Sequence, residues 1–255
     1  MTVSFLPSAR EDVIIASTTL FPAGTAEGSV RGAAALIAAA EAIRWGYALV
    51  VVDGGSDPGF IKSLKELGVE VHVQSKPGLG VARREAFALA ARKERNVCIY
   101  LELEKSDLIG QLDSVVLPLM ERRADIVVPA RRFFSTYPPA QHYAECLGNL
   151  VWQDLTETEL DVWFGPRAWQ RDAFHYFLDY EGDYGDTWDS IHIPLLRAWY
   201  AGERLLSVEV DYSHPPEQTE LEKQHPNYIR KRLSQLDFLW RAYDLEYMEL
   251  REQEK

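Results

Sequence analysis

Two glutamates one residue apart, Glu102 and Glu104, follow directly on the apolar run Val97-Cys98-Ile99-Tyr100-Leu101. A run of this kind reads as a strand buried on both faces of a parallel sheet. Carboxylates placed where a parallel strand leaves its sheet stand at the crevice where open α/β folds bind ligands. In extended chain both side chains point the same way, and together they could hold a divalent cation that carries a diphosphate. The plainer alternative is a solvated loop whose acids cap the next helix. Asp53 repeats the placement at the end of a second apolar run, 48–52, ahead of Gly54-Gly55-Ser56-Asp57-Pro58. That sequence supplies a turn, an N-cap aspartate and a proline at the first helical position. Arg83 lies near the start of a helix opened by Gly78-Leu79-Gly80, where free N–H groups and the helix dipole favour anions. Its guanidinium could grip a phosphate through two bonds, or pair with Glu85 instead. Lys76, just before the same turn, is either a second phosphate contact or a solvated side chain.

These residues need a scaffold, and the first half of the chain spells one out. Strand patterns at 12–17, 48–53, 69–74, 97–101 and 125–129 alternate with helical ones at 29–45, 58–67, 79–93 and 109–123. The strands do not alternate polar with apolar, so they are expected to be buried on both faces of a parallel sheet with right-handed crossovers. After Pro129 the pattern changes. A loop at 131–139 leads to a helix at 140–155, then to acidic, aromatic, glycine-bearing loops around 161–166 and 181–189 that suit the lining of a site. A helix at 191–200, a last strand at 204–211 and a long helix from Asn227 complete the chain. No linker composition or internal repeat interrupts it. The expected organisation is one domain, 1–255, with lobes at 12–130 and 131–226 and a C-terminal helix at 227–255.

Composition narrows the function. A net charge of −12 without an offsetting basic run argues against nucleic acid and anionic membrane surfaces as partners. Two cysteines, neither with metal-ligand spacing, fit a reducing compartment. Residues 1–11 lack the layout of a signal peptide, and no apolar stretch is long enough to span a bilayer. A soluble cytoplasmic protein is expected. The glycine pattern that binds dinucleotides after a first strand is missing, since Ser17-Thr18-Thr19-Leu20-Phe21 stands there, and so is a Walker P-loop.

In its order of motifs the chain resembles the GT-A glycosyltransferases of the broad family 2 type and relatives such as mannosylglycerate synthase. The carrying segments are Asp53-Gly54-Gly55-Ser56-Asp57, Lys76-Pro77-Gly78-Leu79-Gly80-Val81-Ala82-Arg83, Glu102-Leu103-Glu104 in the place of the family's Asp-x-Asp, and Gly165–Phe174. The resemblance implies a Rossmann-like α/β GT-A fold with a mostly parallel central sheet. It also implies transfer of a sugar from a nucleotide-sugar donor to a small-molecule or glycan acceptor, assisted by Mg²⁺ or Mn²⁺. Thr18, Leu20, Asp53, Lys76, Gly78, Arg83 and Glu102 would bind the donor. Glu102, Glu104 and the late His214 would hold the metal, with Gly165, Trp188 and Asp189 on the acceptor side. Asp189 would serve as the catalytic base, a role it shares with capping the helix at 191. Trp188, like Trp163, could stack on a sugar or simply pack in the core. The sequence departs from the family in having glutamates followed by Lys105, which could neutralise phosphate directly. The remaining alternatives are a non-catalytic nucleotide-sugar binder and a sugar-phosphate nucleotidyltransferase, the latter lacking its glycine-rich loop after the first strand. Ile229, Leu233, Leu236, Trp240, Tyr243, Tyr247 and Leu250 form an apolar seam on the last helix, expected either to dock on the body or to join two copies in a homodimer.

Overall fold

The computed structural model describes residues 7–224 and 227–253; the N-terminal residues 1–6 and His225 lie outside the described residues. Seven strands, β1 (Val13–Thr19), β2 (Ala48–Asp53), β3 (Glu70–Val73), β4 (Val97–Tyr100), β5 (Ile126–Arg131), β6 (Arg167–Gln170) and β7 (Leu205–Val210), join in one sheet of order β3-β2-β1-β4-β6-β5-β7. All neighbours are parallel except β6, which runs antiparallel between β4 and β5. The helices in chain order are α1 (Pro7–Arg10), α2 (Ala26–Arg44), α3 (Pro58–Glu66), α4 (Leu79–Ala91), α5 (Leu112–Met120), α6 (Pro139–Thr156), α7 (Phe174–Leu178), α8 (Asp189–Tyr200), α9 (Pro216–Gln224) and α10 (Tyr228–Gln253).

Two apolar layers clamp the sheet, as its uninterrupted hydrophobic strands require. Val13 and Ile15 of β1 face one layer with Ala35, Ala38, Leu64, Val115 and Val116 of α2, α3 and α5. Ile14 and Ala16 face the other, with Ala86 and Phe87 of α4, Trp169 of β6 and Leu196 of α8. Alanines on α2 present almost no side-chain bulk, so that helix lies close on the strands. On the opposite face Phe87 meets Tyr100, Trp169 and Phe177 edge-on, with centroids 5.6, 5.1 and 5.9 Å apart, the favoured geometry for aromatic pairs.

The pairing register places the functional edge. Thr19 pairs with Asp53 at the ends of β1 and β2, and Tyr100 pairs with Arg167 where β4 ends and β6 begins. The antiparallel course of β6 therefore brings the loop before it, with Gly165, to the edge where β4 releases Glu102 and Glu104.

Besides the short helices α1 and α7 and an earlier start of α2, the structure departs from the sequence expectations in three places. The helix expected at 109–123 opens as a 3₁₀ segment, Ser106–Gln111, and its α-helical part ends at Met120. The chain reverses at Arg122 with φ of 54°, a left-handed residue of the kind that ends helices. A short helix, α9, occupies 216–224, where Pro216 sits at its first position. Strand β6 carries no apolar run, because Arg167 and Gln170 flank its two hydrophobic residues, yet all four are buried.

Helix α10 docks on the body, though not along the whole seam. Leu239, Ala242, Tyr243 and Glu246 are buried, with Tyr243 edge-on to Trp152 and His192. Glu246 takes two bonds from Arg197 of α8, at 2.7 and 3.0 Å. Of the seam, Leu236, Tyr247 and Leu250 also pack against the core, whereas Ile229, Leu233 and Trp240 face outward. Truncating a docked residue therefore differs from truncating an exposed one. Leu239→Ala should cost about 2–5 kcal/mol in chemical denaturation, and Leu245→Ala, on the exposed side, less than about 0.5 kcal/mol.

Candidate functional site

Beyond β4 the chain makes a turn in which the Lys105 N–H donates to the Glu102 carbonyl at 2.9 Å. Leu101 and Leu103 are buried, so Glu102 and Glu104 alternate with them toward the crevice. Each acid meets a base. The Glu102 carboxylate lies 3.1 Å from Lys105 Nζ, and Glu104 accepts from Arg31 of α2 through Nε at 3.1 Å and through Nη2. Arg31 also pairs with Glu27 one turn away at 3.1 Å. The Lys105 ammonium lies over the rings of Phe164 and Tyr212, 5.1 and 5.4 Å from their centroids, a cation–π arrangement. Burial would raise the Glu104 carboxyl, but the charges of Arg31 and Lys105 outweigh it and hold the group below the usual carboxylate range. Burial acts against the Lys105 charge too; Glu102 leads the groups that reverse this and keep the ammonium protonated.

The loop before β6 closes the other side. Gly165 adopts φ of +105°, and a Cβ there would stand 2.6 Å from Glu102 Oε2. Only glycine satisfies both the backbone and the approach of that carboxylate. Its carbonyl accepts from Arg167 Nη1 at 2.7 Å, and the Val162 carbonyl from Nη2 at 2.8 Å. Arg167 is fully buried with no carboxylate against it, and its Nε has no partner among the described residues. Burial pushes it down to about 10, so it stays charged at neutral pH. Asp161 anchors the same loop by taking Nε and Nη2 of the buried Arg131, each at 2.7 Å.

The donor-side residues fall along the same edge in different roles. Asp53 accepts from Thr19 Oγ1 at 2.8 Å and from the N–H groups of Gly55 and Ser56 at 2.9 and 3.0 Å. Its carboxylate thus builds the turn after β2. Thr18 is half-buried, while Leu20 and Lys76 are exposed at the lip. Gly78, with φ of +138°, opens α4, and its carbonyl accepts from Gln74 at 2.6 Å. Arg83 differs from expectation. It is 3 % exposed and ties α4 to its surroundings through Tyr100 Oη at 2.9 Å and the Thr187 carbonyl and Ser190 Oγ, both at 3.0 Å. The start of α4 is covered as well, since Gly80 N–H donates to the Asp186 carbonyl at 2.9 Å and a Cβ on Gly80 would collide with Asp186. Arg84 pairs with the same aspartate, Nη2 to Oδ2 at 2.8 Å.

Asp189 does not lie open to an acceptor. It is fully buried, and its oxygens accept from the Thr187 and Asp186 N–H groups at 2.6 and 3.2 Å and from the Tyr180 hydroxyl. The reason is local: the turn 186–189 leaves unpaired N–H groups before α8, and the aspartate satisfies them. Trp188 precedes it and packs edge-on against Phe238 of α10 with centroids 6.0 Å apart.

His214 joins the Lys105 side. Its ring lies 4.7 Å from that of Tyr137, and Tyr137 in turn neighbours Tyr212 at 6.2 Å. The Thr219 hydroxyl donates to the Thr136 carbonyl at 3.2 Å, so it accepts from His214 Nδ1–H at 2.7 Å. On the other side of the ring, Nε2 faces the Glu222 carboxylate at 3.4 Å. Burial, with Lys105 next, pushes the imidazole down to about 3, so His214 is neutral at physiological pH. The Tyr137 hydroxyl beside it is buried without a hydrogen-bond partner among the described residues.

No family model and no curated protein sequence matches the chain. Its fold is that of the GT-A nucleotide-sugar transferases, shown by solved structures of low sequence identity. Glucosyl-3-phosphoglycerate synthase from Mycobacterium tuberculosis, in complex with Mn²⁺, uridine diphosphate and glucosyl-3-phosphoglycerate, superposes with a TM-score of 0.65 at 13% identity, over 97% of this chain and 85% of that one. The same synthase in complex with phosphoglyceric acid gives 0.65 at 14%, over 97% and 85%. A structure described as a mycobacterial protein gives 0.60 at 14%, over 84% and 71%.

Sequence reasoning missed Arg31 and the isolation of Arg167. An arginine amid the alanines of its helix was the available signal for Arg31, masked by Glu27 at helical pair spacing. Two outcomes follow from this geometry. Gly165→Ala must shift the backbone and displace the Glu102 carboxylate, with an expected loss of about 1–3 kcal/mol in denaturant unfolding. His214 is protonated in the unfolded chain below about 6.5 and stays neutral in the fold, so its contribution is present above that pH and lost as pH falls toward 3. Going from pH 7 to pH 5 should therefore cost about 2 kcal/mol of stability through this group. His214→Asn should lack that share when the two proteins are unfolded in parallel at both pH values.

Proposed function

We propose that the chain is a glycosyltransferase moving a sugar from a nucleoside-diphosphate donor to an acceptor hydroxyl. One observation carries the reading: three cations gather where β4 ends and β6 begins, Lys105 at 3.1 Å from Glu102, Arg31 on Glu104 and the buried Arg167 on the Val162 and Gly165 carbonyls, although the chain as a whole carries −12. Arg31 and Lys105 are each paired with a carboxylate, whereas Arg167 is held by carbonyls alone. A leaving diphosphate needs such fixed positive charge as the glycosidic bond breaks. Lys105 is best placed to exchange its contact with Glu102 for a phosphate oxygen. In this reading Asp53, Thr18 and Leu20 shape the nucleoside end, with Lys76 at the lip, and Gly78 and Arg83 hold the opening of α4 in register. Gly165 and Trp188 flank the acceptor side, and Asp189 positions the turn between them rather than removing a proton.

A divalent cation fits the donor types present. Glu102 and Glu104 offer hard oxygens, whereas His214, whose Nε2 faces Glu222 at 3.4 Å, would have to turn from that carboxylate to join them. No three His, Cys, Asp or Glu side chains among the described residues stand close enough to share an ion. Mg²⁺-type sites, however, commonly take one or two carboxylates and complete their shell with substrate phosphates and water. Mn²⁺ accompanies uridine diphosphate in the synthase structure. When bound, the ion supplies Lewis-acid stabilisation of the diphosphate. The protein's part is to hold the acids, keep His214 neutral and release Glu102 from Lys105.

Lys105 and Arg31, if freed from their carboxylates by a bound ligand, would favour a small acidic acceptor over a neutral glycan, and the synthase has been solved with phosphoglyceric acid. A cytoplasmic setting is in keeping with two free cysteines, one buried and one half-buried. No helix among the described residues is long and apolar enough to cross a membrane. The saturation of Asp189 favours a second reading, a non-catalytic nucleotide-sugar binder, because it leaves no assigned base.

Incubation with a panel of UDP- and GDP-sugars and Mn²⁺, with and without 3-phosphoglycerate, separates these readings. Release of nucleoside diphosphate, reduced at least 100-fold in Glu104→Ala, is the expected outcome. Nucleotide that raises the melting temperature but is never released from any donor would leave the chain a binder.

A further inference from the structure

Helices α6 and α10 lie side by side and run in the same direction: Tyr228 at the start of α10 bonds Gln141 at the start of α6, and Tyr243 packs on Trp152 further along both. Their outward faces are apolar. Tyr143, Leu147 and Leu150 recur on α6 with steps of four and three, and Ile229, Leu233 and Trp240 occupy one face of α10; all six are 40–67 % exposed. An open groove between the two stripes is lined by Leu147, Leu150, Leu236 and Trp240. Six large apolar side chains exposed side by side on two neighbouring helices are more than the singly scattered surface hydrophobics of an ordinary monomer.

The charges along the two helices point to what covers them. At the C-terminal end both stripes finish in carboxylates, Asp154 and Glu157 on α6 and Asp244 on α10, which rim the groove. Asp154 and Glu157 stand where the dipole of their own helix already concentrates negative charge, an unfavourable place for acids. At the N-terminal end, next to Ile229, stands the exposed Arg230. A two-fold axis across the middle of the helices lays apolar stripe on apolar stripe. The same operation sets the basic start of each α10 against the acidic ends of the other copy and opposes all four helix dipoles.

We propose that α6 and α10 form an isologous dimer interface with a second copy of this chain, packed as an antiparallel four-helix layer. The inference is independent of the glycosyltransfer reading, since it uses a face built from other residues. The interface joins hydrophobic stripes at its centre and reciprocal Arg230–carboxylate contacts at its two ends.

Light scattering and sedimentation equilibrium of the full chain over a concentration series test it. The expected species has twice the 29.0 kDa chain mass. Leu147→Glu and Leu233→Glu, on exposed positions and so without loss of melting temperature for the separated chain, should each weaken dimerisation at least 100-fold. Asp154→Arg should weaken it about tenfold and Arg230→Glu should restore it in the double variant, as reciprocal contacts demand. A concentration-independent monomer overturns the proposal. So does a dimer that survives both glutamate variants, which would place the contact elsewhere on the molecule.

Discussion

The charge balance at the end of β4 governs the arrangement around it. A strand buried on both faces delivers Glu102 and Glu104 to an edge where Glu104 is 7 % exposed, and an unpaired carboxylate in such a place is expensive. The fold answers with bases from two directions. Arg31 comes from the alanine-rich helix α2, which lies close enough to the sheet to reach Glu104, and Lys105 folds back from the same turn onto Glu102. The antiparallel insertion of β6 adds the fully buried Arg167 and a glycine shaped to the Glu102 carboxylate. Removing either acid would leave its base unpaired in a largely buried place, which is costly.

Much of this was legible in the sequence. The alternation of strands and helices through residue 131, the turn after Asp53 and the glutamates at a strand end all follow from hydrophobic runs, glycines and caps, which act locally. What stayed hidden depends on contacts across the fold. Strand β6 has too few apolar residues to declare itself and owes its place to hydrogen-bonding neighbours on both sides. The partner of Glu104 lies 73 residues away on another element, so no spacing rule could supply it. Arg83 and Asp189 were legible as charged residues near helix starts, but not as the members of one tie. Arg83 reaches Thr187 and Ser190, and Asp189 holds the turn between them. Together they press the loop 182–189 onto the start of α4. A residue type that binds anions or moves protons in an open site serves here to fasten a loop, and only its burial distinguishes the two uses.

The last helix makes the same point on a larger scale. Its heptad-like seam reads as one face in the sequence, yet the body takes Leu239, Ala242 and Tyr243 and leaves Ile229, Leu233 and Trp240 outside. Two adjacent apolar faces, one packed on the core and one left exposed, overlap in a single periodic pattern. Packing against α6 and α8 selects which of them turns inward.

The proposed function requires that Glu102, Glu104 and Lys105 at the end of β4 receive the diphosphate of a sugar nucleotide. A crystal structure of the protein with uridine or guanosine diphosphate and Mn²⁺ tests this most directly. The account predicts diphosphate density beside Glu102 and Glu104, with the Lys105 ammonium moved from Glu102 onto a phosphate oxygen. A nucleotide bound away from the ends of β1, β2 and β4, or one whose diphosphate lies in solvent while Lys105 stays on Glu102, would contradict it.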